Sequence, residues 1–412
     1  MTVVQEFCGR HVDEHFLIAR LRAPAGWPTF RNIPYNETSE WTLLLAKHRH
    51  TMNVLLLIAT VSNLIHHCLA LTKPYSLRLV NNGYEGIVVA IHEDVPESSE
   101  LIEEIMSMFK EASPYLYRAT RHRLYFKHVT ILVPQTWSDK DTYASPGNAT
   151  FDTADVILAQ QDPRFAQTHH IPSVPHAKHF EGCGKQAAYI HFSSEFLTFK
   201  YKELFHGNIG RLFVHEWGHY RWGLFNEYAD PIADPEFQQP FYHSPTTNLF
   251  EPTRCSRDWF SSNMVVDSSL GYFRDCAGNK IIGYEDGCVS IPASRQDSVT
   301  GSIMYGYQSI EEISQFCDND TNDSSNLHVV EAPHKHNRLC DSRSNWEVMR
   351  QLPDFTDDNS QPRNISDDEL EPTFVIARTR PPKLVLVLDT SGSMGIPVDI
   401  FQMESFVRFE FY

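Results

Sequence analysis

The sequence predicts an α+β fold from two observations: the order of its strand-like and helical runs, and an ordinary globular composition. Runs rich in β-branched residues, such as GIVVAI at 86–91 and RLYFKHVTILVP at 123–134, alternate with helical patterns. With 412 residues, 42% of them hydrophobic, the chain is long enough for two or three domains with buried cores. A formal net charge of -17 argues against a nucleic-acid partner, because phosphate binding needs a basic surface.

The N-terminal part predicts a signal peptide at 52–70, MNVLLLIATVSNLIHHCLA, preceded by an upstream extension at 1–51. Lys47 and Arg49 lie just before a short apolar run, and Cys68 and Ala70 are small residues of the kind found at cleavage sites. A signal anchor or a buried helix are the alternatives. After Ala70 no stretch approaches eighteen apolar residues, so we expect no membrane span beyond the signal segment, and no pore formed by this chain.

The cysteines also favour a secreted, extracellular or cell-surface protein. Removal of 1–70 leaves six, an even number that permits three disulfides, although the spacing does not choose among the possible pairings: Cys183, Cys255, Cys276, Cys288, Cys317 and Cys340. After residue 70, four glycosylation sequons point the same way, at Asn148, Asn319, Asn322 and Asn364.

Residues 71–250 predict the first domain. An Asn82-Gly83 turn separates a strand from GIVVAI, and a long helix begins at Ser98 or Ser99. Its apolar residues recur at helical spacing, at Leu101, Ile105, Met108 and Phe109. The strand at 123–134 and a further strand in AAYIHFSSEFL at 187–197 follow, and then the helix that carries the motif discussed below.

Three further regions complete the predicted organisation. Residues 251–350 are rich in cysteine and polar residues, which predicts loops held by disulfides. Residues 351–382 are acidic and contain proline, as is typical of a solvated linker. At 383–412 a new unit starts with a buried strand over 384–388.

The segment VHEWGHYRWGLFNEY at 214–228 predicts a zinc site. His215 and His219 are one helical turn apart on one face and can share a tetrahedral ion. Glu216 is placed to take a proton from water and pass it to a leaving amine, and zinc makes such water acidic, with a pKa of ~7. This pattern favours a zincin fold that hydrolyses peptides; the alternative is a surface helix with solvated histidines.

The same segment predicts how the helix is anchored and where it ends. A second, apolar stripe is formed by Phe213, Trp217, Tyr220 and Leu224, and Gly218 permits close packing. Gly223 favours a left-handed end, after which Asn226 or Glu227 approaches the metal as the third ligand. We expect other histidines to be solvated loop residues, namely His169, His170, His334 and His336.

DTSGS, near the C-terminal end, predicts a second metal site. Asp389, Ser391 and Ser393 follow a strand and present oxygen atoms suited to Mg²⁺ or Ca²⁺. Further ligands normally come from later loops, so we expect this site to be incomplete here; an ordinary Asp-Ser turn is the alternative.

Taken together, these motifs resemble those of the calcium-activated chloride channel regulator (CLCA) family. The resemblance extends from NNGYEGIVVAI at 81–91 through GCGKQAAYIHF at 182–192, the histidine motif and SIMYGYQSIEEISQFC at 302–317 to LVLVLDTSGSM at 384–394. It implies a secreted or surface-attached protein with a zinc metalloprotease domain, a cysteine-rich region and a von Willebrand factor A domain, which is truncated here. It also implies self-cleavage, and modulation of a partner chloride channel without conduction of ions.

Carried onto this sequence, the resemblance makes His215 and His219 zinc ligands and Glu216 the catalytic residue. The family's third ligand is an aspartate where this chain has Asn226, so either zinc is held more weakly or Glu227 substitutes. Met304, 85 residues after His219, is either a metzincin-like methionine turn or a packing residue. Two functions follow: a zinc endopeptidase acting on itself or on nearby secreted proteins, or a non-enzymatic regulator that keeps the fold as a scaffold.

Overall fold

The computed structural model describes most of the chain between residues 77 and 379. The described ranges are 77–161, 172–178, 182–229, 239–256, 261–267, 272–292, 300–305, 310–356 and 360–379, with three strands outside them. The chain divides into two compact units, one formed by Met1–Pro74 with Pro381–Tyr412 and the other by Tyr75–Arg380. The predicted signal segment at 52–70 lies outside the described residues, as do Asp389, Ser391 and Ser393.

The elements are numbered in chain order. The strands are β1 Phe7–His11, β2 Glu14–Ile18, β3 Arg78–Val80, β4 Gly83–Glu85, β5 Ile87–Ile91, β6 Tyr125–Phe126, β7 His128–Val133, β8 Val156–Ala159, β9 His176–Ala177, β10 Ile190–Ser193, β11 Phe241–His243, β12 Phe250–Pro252, β13 Ser261–Asp267, β14 Tyr272–Asp275, β15 Gly278–Asn279, β16 Gly283–Tyr284, β17 Val289–Pro292, β18 Thr373–Arg378 and β19 Val385–Val387. The α-helices are α1 Ser99–Ala119, α2 Ser194–Thr198, α3 Lys202–His206, α4 Ile209–Trp222, α5 Lys335–Leu339, α6 Asn345–Met349, α7 Pro353–Thr356 and α8 Asp367–Leu370.

In the first unit, the described residues form one three-stranded sheet. β1 and β2 pair antiparallel, and β19 pairs with β2 in parallel. The strand predicted from residue 384 is therefore present as β19, whereas the predicted metal residues that follow it lie outside the described residues.

The second unit is built on a six-stranded sheet in the order β18-β7-β5-β8-β10-β9. All neighbours pair in parallel except β9, which pairs antiparallel with β10 at one edge. Every residue of β5 is buried, as expected for a strand between two parallel neighbours with both faces covered. The architecture is a mixed α/β fold.

The predicted hairpin is present, but its turn is Asn81-Asn82 and not Asn82-Gly83, and its second strand also differs from the expectation. Asn81 and Asn82 adopt positive φ angles of 50° and 71°, which a two-residue turn between antiparallel strands requires. The strand that follows is Gly83–Glu85, whereas GIVVAI belongs to the central sheet. A left-handed Gly86, with φ of 79°, separates the two.

The long helix α1 is confirmed. The Ser98 side chain accepts a hydrogen bond from the N–H of Leu101, which caps the helix as predicted. The apolar positions at Leu101, Ile105, Met108 and Phe109 are all buried. Across the core, Phe109 lies 4.6 Å from Phe213 of α4 between ring centroids, so the two helices pack face to face on the sheet.

Two sequence interpretations were wrong. AAYIHFSSEFL is a strand only as far as Ser193, whose side chain then caps helix α2 by accepting from the N–H of Phe196. The interval 351–382 is not simply a solvated linker, because it supplies α7, α8 and the edge strand β18, in which Ala377 is fully buried. The apolar run TFVIAR finds β7 as a partner, while the acidic residues around α8 remain exposed.

The six cysteines form three disulfides, as predicted: Cys183–Cys340, Cys255–Cys317 and Cys276–Cys288. Among its described residues, the region 251–350 contains short hairpins, turns and the short helices α5 and α6, and Met304, Phe316 and Trp346 belong to the same hydrophobic core as α4. Among the described residues, no helix is both long and apolar enough to cross a membrane.

Candidate metal centre

The candidate site is carried by α4 and by the turn that follows it. The Asn208 side chain caps the helix by accepting from the N–H of Arg211. Gly223 ends it in a left-handed conformation with φ of 59° and ψ of 34°, as predicted. A Cβ at Gly223 would lie 2.5 Å from the backbone of Lys185, so the turn requires glycine on two grounds.

The two histidines of the motif are buried and oriented by backbone carbonyls. His215 and His219 are 5% and 8% exposed, which contradicts the alternative of a surface helix with solvated histidines. Nδ1 of His215 lies 2.9 Å from the carbonyl oxygen of Ile303, and Nδ1 of His219 lies 2.6 Å from that of Leu224. Each Nδ1 therefore donates its proton to a carbonyl oxygen. In a neutral imidazole this leaves a lone pair on Nε2.

The two Nε2 atoms lie 3.1 Å apart. Two unprotonated nitrogens at this distance repel each other unless a proton or a cation lies between them. Tetrahedral zinc with bonds of 2.0–2.1 Å to both nitrogens would separate them by ~3.3 Å. The histidine pair thus fits zinc both in donor type and in spacing, with carbonyl partners that fix the ring orientation.

Glu216 completes this cluster. One carboxylate oxygen of Glu216 and one ring nitrogen from each histidine all lie within 4.8 Å of one another. Its Oε2 atom accepts a 2.8 Å hydrogen bond from the backbone N–H of Ala177 in β9. Burial raises the pKa of Glu216 to about 8, although the Ala177 hydrogen bond acts in the opposite direction.

The edge strand β9 faces this cluster. The N–H and carbonyl of Lys178 bond to the β10 side, at Tyr189 and Ala188, whereas the N–H of Ala177 points the other way, to Glu216. Backbone groups alternate in direction along a strand, so the outer edge of β9 is next to the Glu216 carboxylate.

The turn after Gly223 separates the two candidates for the third ligand. The side chain of Asn226 interacts with His215. Burial lowers the pKa of His215, and the contact with Asn226 raises it in part. The Oδ1 atom of Asn226 is buried and lacks a geometrically complete hydrogen-bond partner among the described residues. It is thus a buried oxygen atom on a side chain that interacts with His215.

Glu227 points elsewhere. Its carboxylate is fully buried and is grouped with the Cys255–Cys317 disulfide and His328 rather than with the histidine pair. Burial raises its pKa to about 8, partly offset by Ser302 and Asn345. This arrangement favours Asn226 over Glu227 as the third ligand.

Met304 contacts both the motif helix α4 and the turn that follows it. A Cβ on Gly218 would lie 2.9 Å from the Met304 sulfur, so the motif helix and Met304 are in close contact there. The Met304 carbonyl accepts from the N–H of Glu227 at 3.0 Å, and the preceding carbonyl, of Ile303, orients His215. Ile303 and Met304 thus pack against the motif helix and hold the turn over 224–228, which is called the ligand turn below.

Sequence reasoning missed or misplaced several contributors. His334 and His336 are completely buried and not solvated, because they begin α5 against the ligand turn; His169 and His170 lie outside the described residues. The N–H of Ala177 and the Ile303 carbonyl could not have been identified, because a backbone group has no residue-type signature. His336 had a signal only in its recurrence beside another histidine in PHKHN.

Comparison with known proteins gives one consistent result. Residues 77–362 match the family model described as calcium-activated chloride channel N terminal. Calcium-activated chloride channel regulator 1 of Bos taurus is 37% identical over 340 residues, which cover 82% of this chain and 35% of that protein. The human regulator 1 is 38% identical over 325 residues, covering 77% of this chain and 32% of that protein.

A mouse relative, calcium-activated chloride channel regulator 3A-1, is 37% identical over 331 residues, covering 80% of this chain and 34% of that protein. The chain therefore spans about a third of the length of the curated relatives that it matches. No solved structure matches it.

Proposed function

Because this chain belongs to the calcium-activated chloride channel regulator family, we propose that it is a secreted zinc metalloendopeptidase, acting on itself or on nearby secreted proteins, which regulates calcium-activated chloride conductance through a partner channel. The observation that carries the peptidase part is the pair of Nε2 lone pairs, 3.1 Å apart, beside the Glu216 carboxylate. Channel regulation rests on what the relatives' names say of those proteins.

His215, His219 and Asn226 are the residues that would hold zinc. Zinc would supply a Lewis acid that polarises a peptide carbonyl and activates water near neutral pH. The carbonyls of Ile303 and Leu224 favour the tautomer of each imidazole that has its lone pair on Nε2.

Glu216 is the proposed general base and acid. Its carboxylate takes a proton from the attacking water and gives it to the amine that leaves. Burial alone would keep this carboxyl protonated at neutral pH, and a cation held by the adjacent histidines favours the ionised form. The N–H of Ala177 fixes the direction of the carboxylate.

The edge strand β9 is the proposed substrate platform. It is the last strand of the six-stranded sheet, and its outer N–H at Ala177 lies beside Glu216. An extended peptide that pairs with this edge brings its own backbone, and hence a scissile bond, next to the catalytic carboxylate.

Replacing Glu216 with Gln tests this proposal. We expect Glu216→Gln to reduce cleavage by a factor of at least about 10² while zinc content stays near that of the wild type, because Gln cannot accept the proton. Self-processing and hydrolysis of an added protein substrate are followed on gels, with zinc measured by elemental analysis. The matched control is Glu203→Gln, an exposed carboxylate on α3. Undiminished cleavage by Glu216→Gln would remove Glu216 from this role.

Asn226 favours a second candidate function, that of a non-enzymatic regulator in which the fold is a scaffold. A neutral amide oxygen donates less charge to an ion than a carboxylate does, so zinc retention is the weak point of the peptidase proposal. Protein purified without chelators separates the two candidates. Zinc near one per chain supports the peptidase, whereas its absence supports the scaffold.

A further inference from the structure

The turn that carries Asn226 is held from outside the motif by one buried histidine, His336. The N–H of Phe225 donates to Nδ1 of His336 at 3.2 Å. The N–H of His336 in turn donates to the carbonyl of Asn226, also at 3.2 Å. The two bonds fall on consecutive residues of the turn, so they fix the backbone from which the Asn226 side chain projects.

The protonation state of the His336 ring is set by its surroundings. The residue is fully buried, and this burial is the main cause that lowers its pKa to about 3. The ring is therefore neutral, and its Nδ1 faces the N–H of Phe225 as an acceptor. Nε2 lies 3.2 Å from the side-chain amide nitrogen of Asn345, whose oxygen accepts from the Ser302 hydroxyl at 3.1 Å and from the N–H of Cys317 at 3.3 Å.

A disulfide connects this histidine to the end of the motif helix. The N–H of Cys340 donates to the His336 carbonyl at 2.8 Å, and its sulfur lies 3.5 Å from Nδ1 of the ring. Cys340 is bonded to Cys183, next to Gly184, whose N–H donates to the carbonyl of Gly223 at 3.3 Å. The contacts thus form a closed path from the helix end, through the disulfide and His336, back to the turn at Asn226.

We propose that His336 is a positioning residue for the third zinc ligand, and that the Cys183–Cys340 disulfide keeps it in place. This inference rests on the zinc site of the proposed function. A neutral amide oxygen gains less from the ion than a carboxylate does, so affinity depends more strongly on a turn that is already in its binding position. His336 supplies that preorganisation without contacting the ion.

Two substitutions at His336 test the hydrogen bond at Nδ1 and the contact at Nε2 separately. His336→Asn keeps an amide acceptor near the position of Nδ1, facing Phe225, and gives up the contact with Asn345. His336→Gln does the reverse, because its amide reaches the position of Nε2. The zinc dissociation constant is measured by competition with a chelator, together with backbone hydrogen exchange over 224–228.

We expect His336→Gln to weaken zinc binding by a factor of about ten or more and to speed exchange in the turn. His336→Asn should stay within about threefold of the wild type, even if its melting temperature falls, because the Phe225 bond persists. Equal zinc affinity in the Gln variant and the wild type, or equal losses in both variants, would overturn the positioning role. A wild type that binds no zinc would instead contradict the proposed function itself.

The role of the Cys183–Cys340 disulfide is tested with two double variants, one of which is the control. Cys183→Ser with Cys340→Ser removes the connection to His336, whereas Cys276→Ser with Cys288→Ser removes a disulfide of the β14–β17 segment. We expect weaker zinc binding in the first double variant and unchanged binding in the second. The same affinity in both would show that the disulfide does not act on the ligand turn.

Discussion

Asn226 is the residue at which the candidate metal centre differs from the aspartate that the family resemblance implies. We predict that Asn226→Asp binds zinc about tenfold more tightly, equivalent to about 1.4 kcal/mol, because a carboxylate adds charge to the ion–ligand bond. Chelator competition measures the change, and Asn226→Ala, which removes the ligand atom, is the control for the opposite direction. Unchanged affinity in both variants would mean that this side chain does not reach the ion.

Glu227 provides a second, independent prediction about the same turn. Its carboxyl group lies with the Cys255–Cys317 disulfide and His328, so we expect Glu227→Gln, which keeps the shape and cannot ionise, to retain zinc within about twofold. The measurement is the same competition assay. A loss comparable to that of Asn226→Ala would identify Glu227 as the ligand instead.

At this scale the sequence predicts what is local. His215, Glu216 and His219 are brought together by helical period alone, and Gly223 by the conformation that ends a helix. His336 was wrongly expected to be solvated because its burial depends on neighbours about 110 positions away, as in its bond to Phe225. Polar residues are mostly exposed, and only the folded chain shows which of them are enclosed.

Among the elements, α1 and α4 approach each other closely at Gly210 of the motif helix. A Cβ at Gly210 would lie 2.6 Å from the Cβ of Glu111 and 2.7 Å from the backbone nitrogen of Ala112. Gly218 is less constrained, because its nearest neighbour is the flexible thioether of Met304. The two glycines are thus matched sites on one helix with different tolerance.

We predict that Gly210→Ala lowers the free energy of unfolding by about 1–3 kcal/mol, since helices would have to separate, which outweighs the ~1 kcal/mol that alanine gains in helix propensity. Gly218→Ala should be milder. Denaturant titrations of the two variants give both values. Greater stability of Gly210→Ala than of the wild type would show that the crossing is looser than described.

Helices and strands were predicted correctly where the capping residue and the spacing of apolar residues agreed. Prediction failed where the strands were short. Helix α1 has a serine cap, Glu100 in its first turn and a regular apolar stripe, so its start and its buried face were predicted. Strand β9 is two residues long and β8 four, which is too few for a recognisable alternation. Strand β18 was obscured by acidic surroundings and is stabilised by β7, some 245 positions away.

For the whole molecule, contacts between distant segments decide the outcome. Asp354, in the interval expected to be a solvated linker, accepts hydrogen bonds from Tyr84 and Trp222 and pairs with Arg221 beside the motif. Such a pairing is invisible in the sequence, because an aspartate in an acidic stretch is normally exposed. The interval that was predicted to be a linker is thus an integral part of the second unit, Tyr75–Arg380.

A second buried carboxylate, Asp318, connects three parts of this unit and makes its stability depend on pH. Its side chain is fully buried; it accepts from Arg350 at 2.9 and 2.6 Å and pairs with Arg121, after α1, at 2.8 Å. Burial would raise the pKa of Asp318, but the hydrogen bonds and charge of Arg350 outweigh it and lower the pKa below its usual value.

A carboxyl whose pKa is lowered by folding stabilises the protein above its unfolded pKa of ~3.9, and this contribution is lost as the pH falls through the folded value. We therefore predict that Asp318→Asn is less stable than the wild type at pH 7, by about 1–3 kcal/mol because the arginines are partly exposed and screened, and that the difference shrinks towards pH 3. Urea unfolding across this pH range measures it, with the exposed Asp286→Asn as control. A difference that stays constant with pH would show that the loss comes from packing and not from the charge.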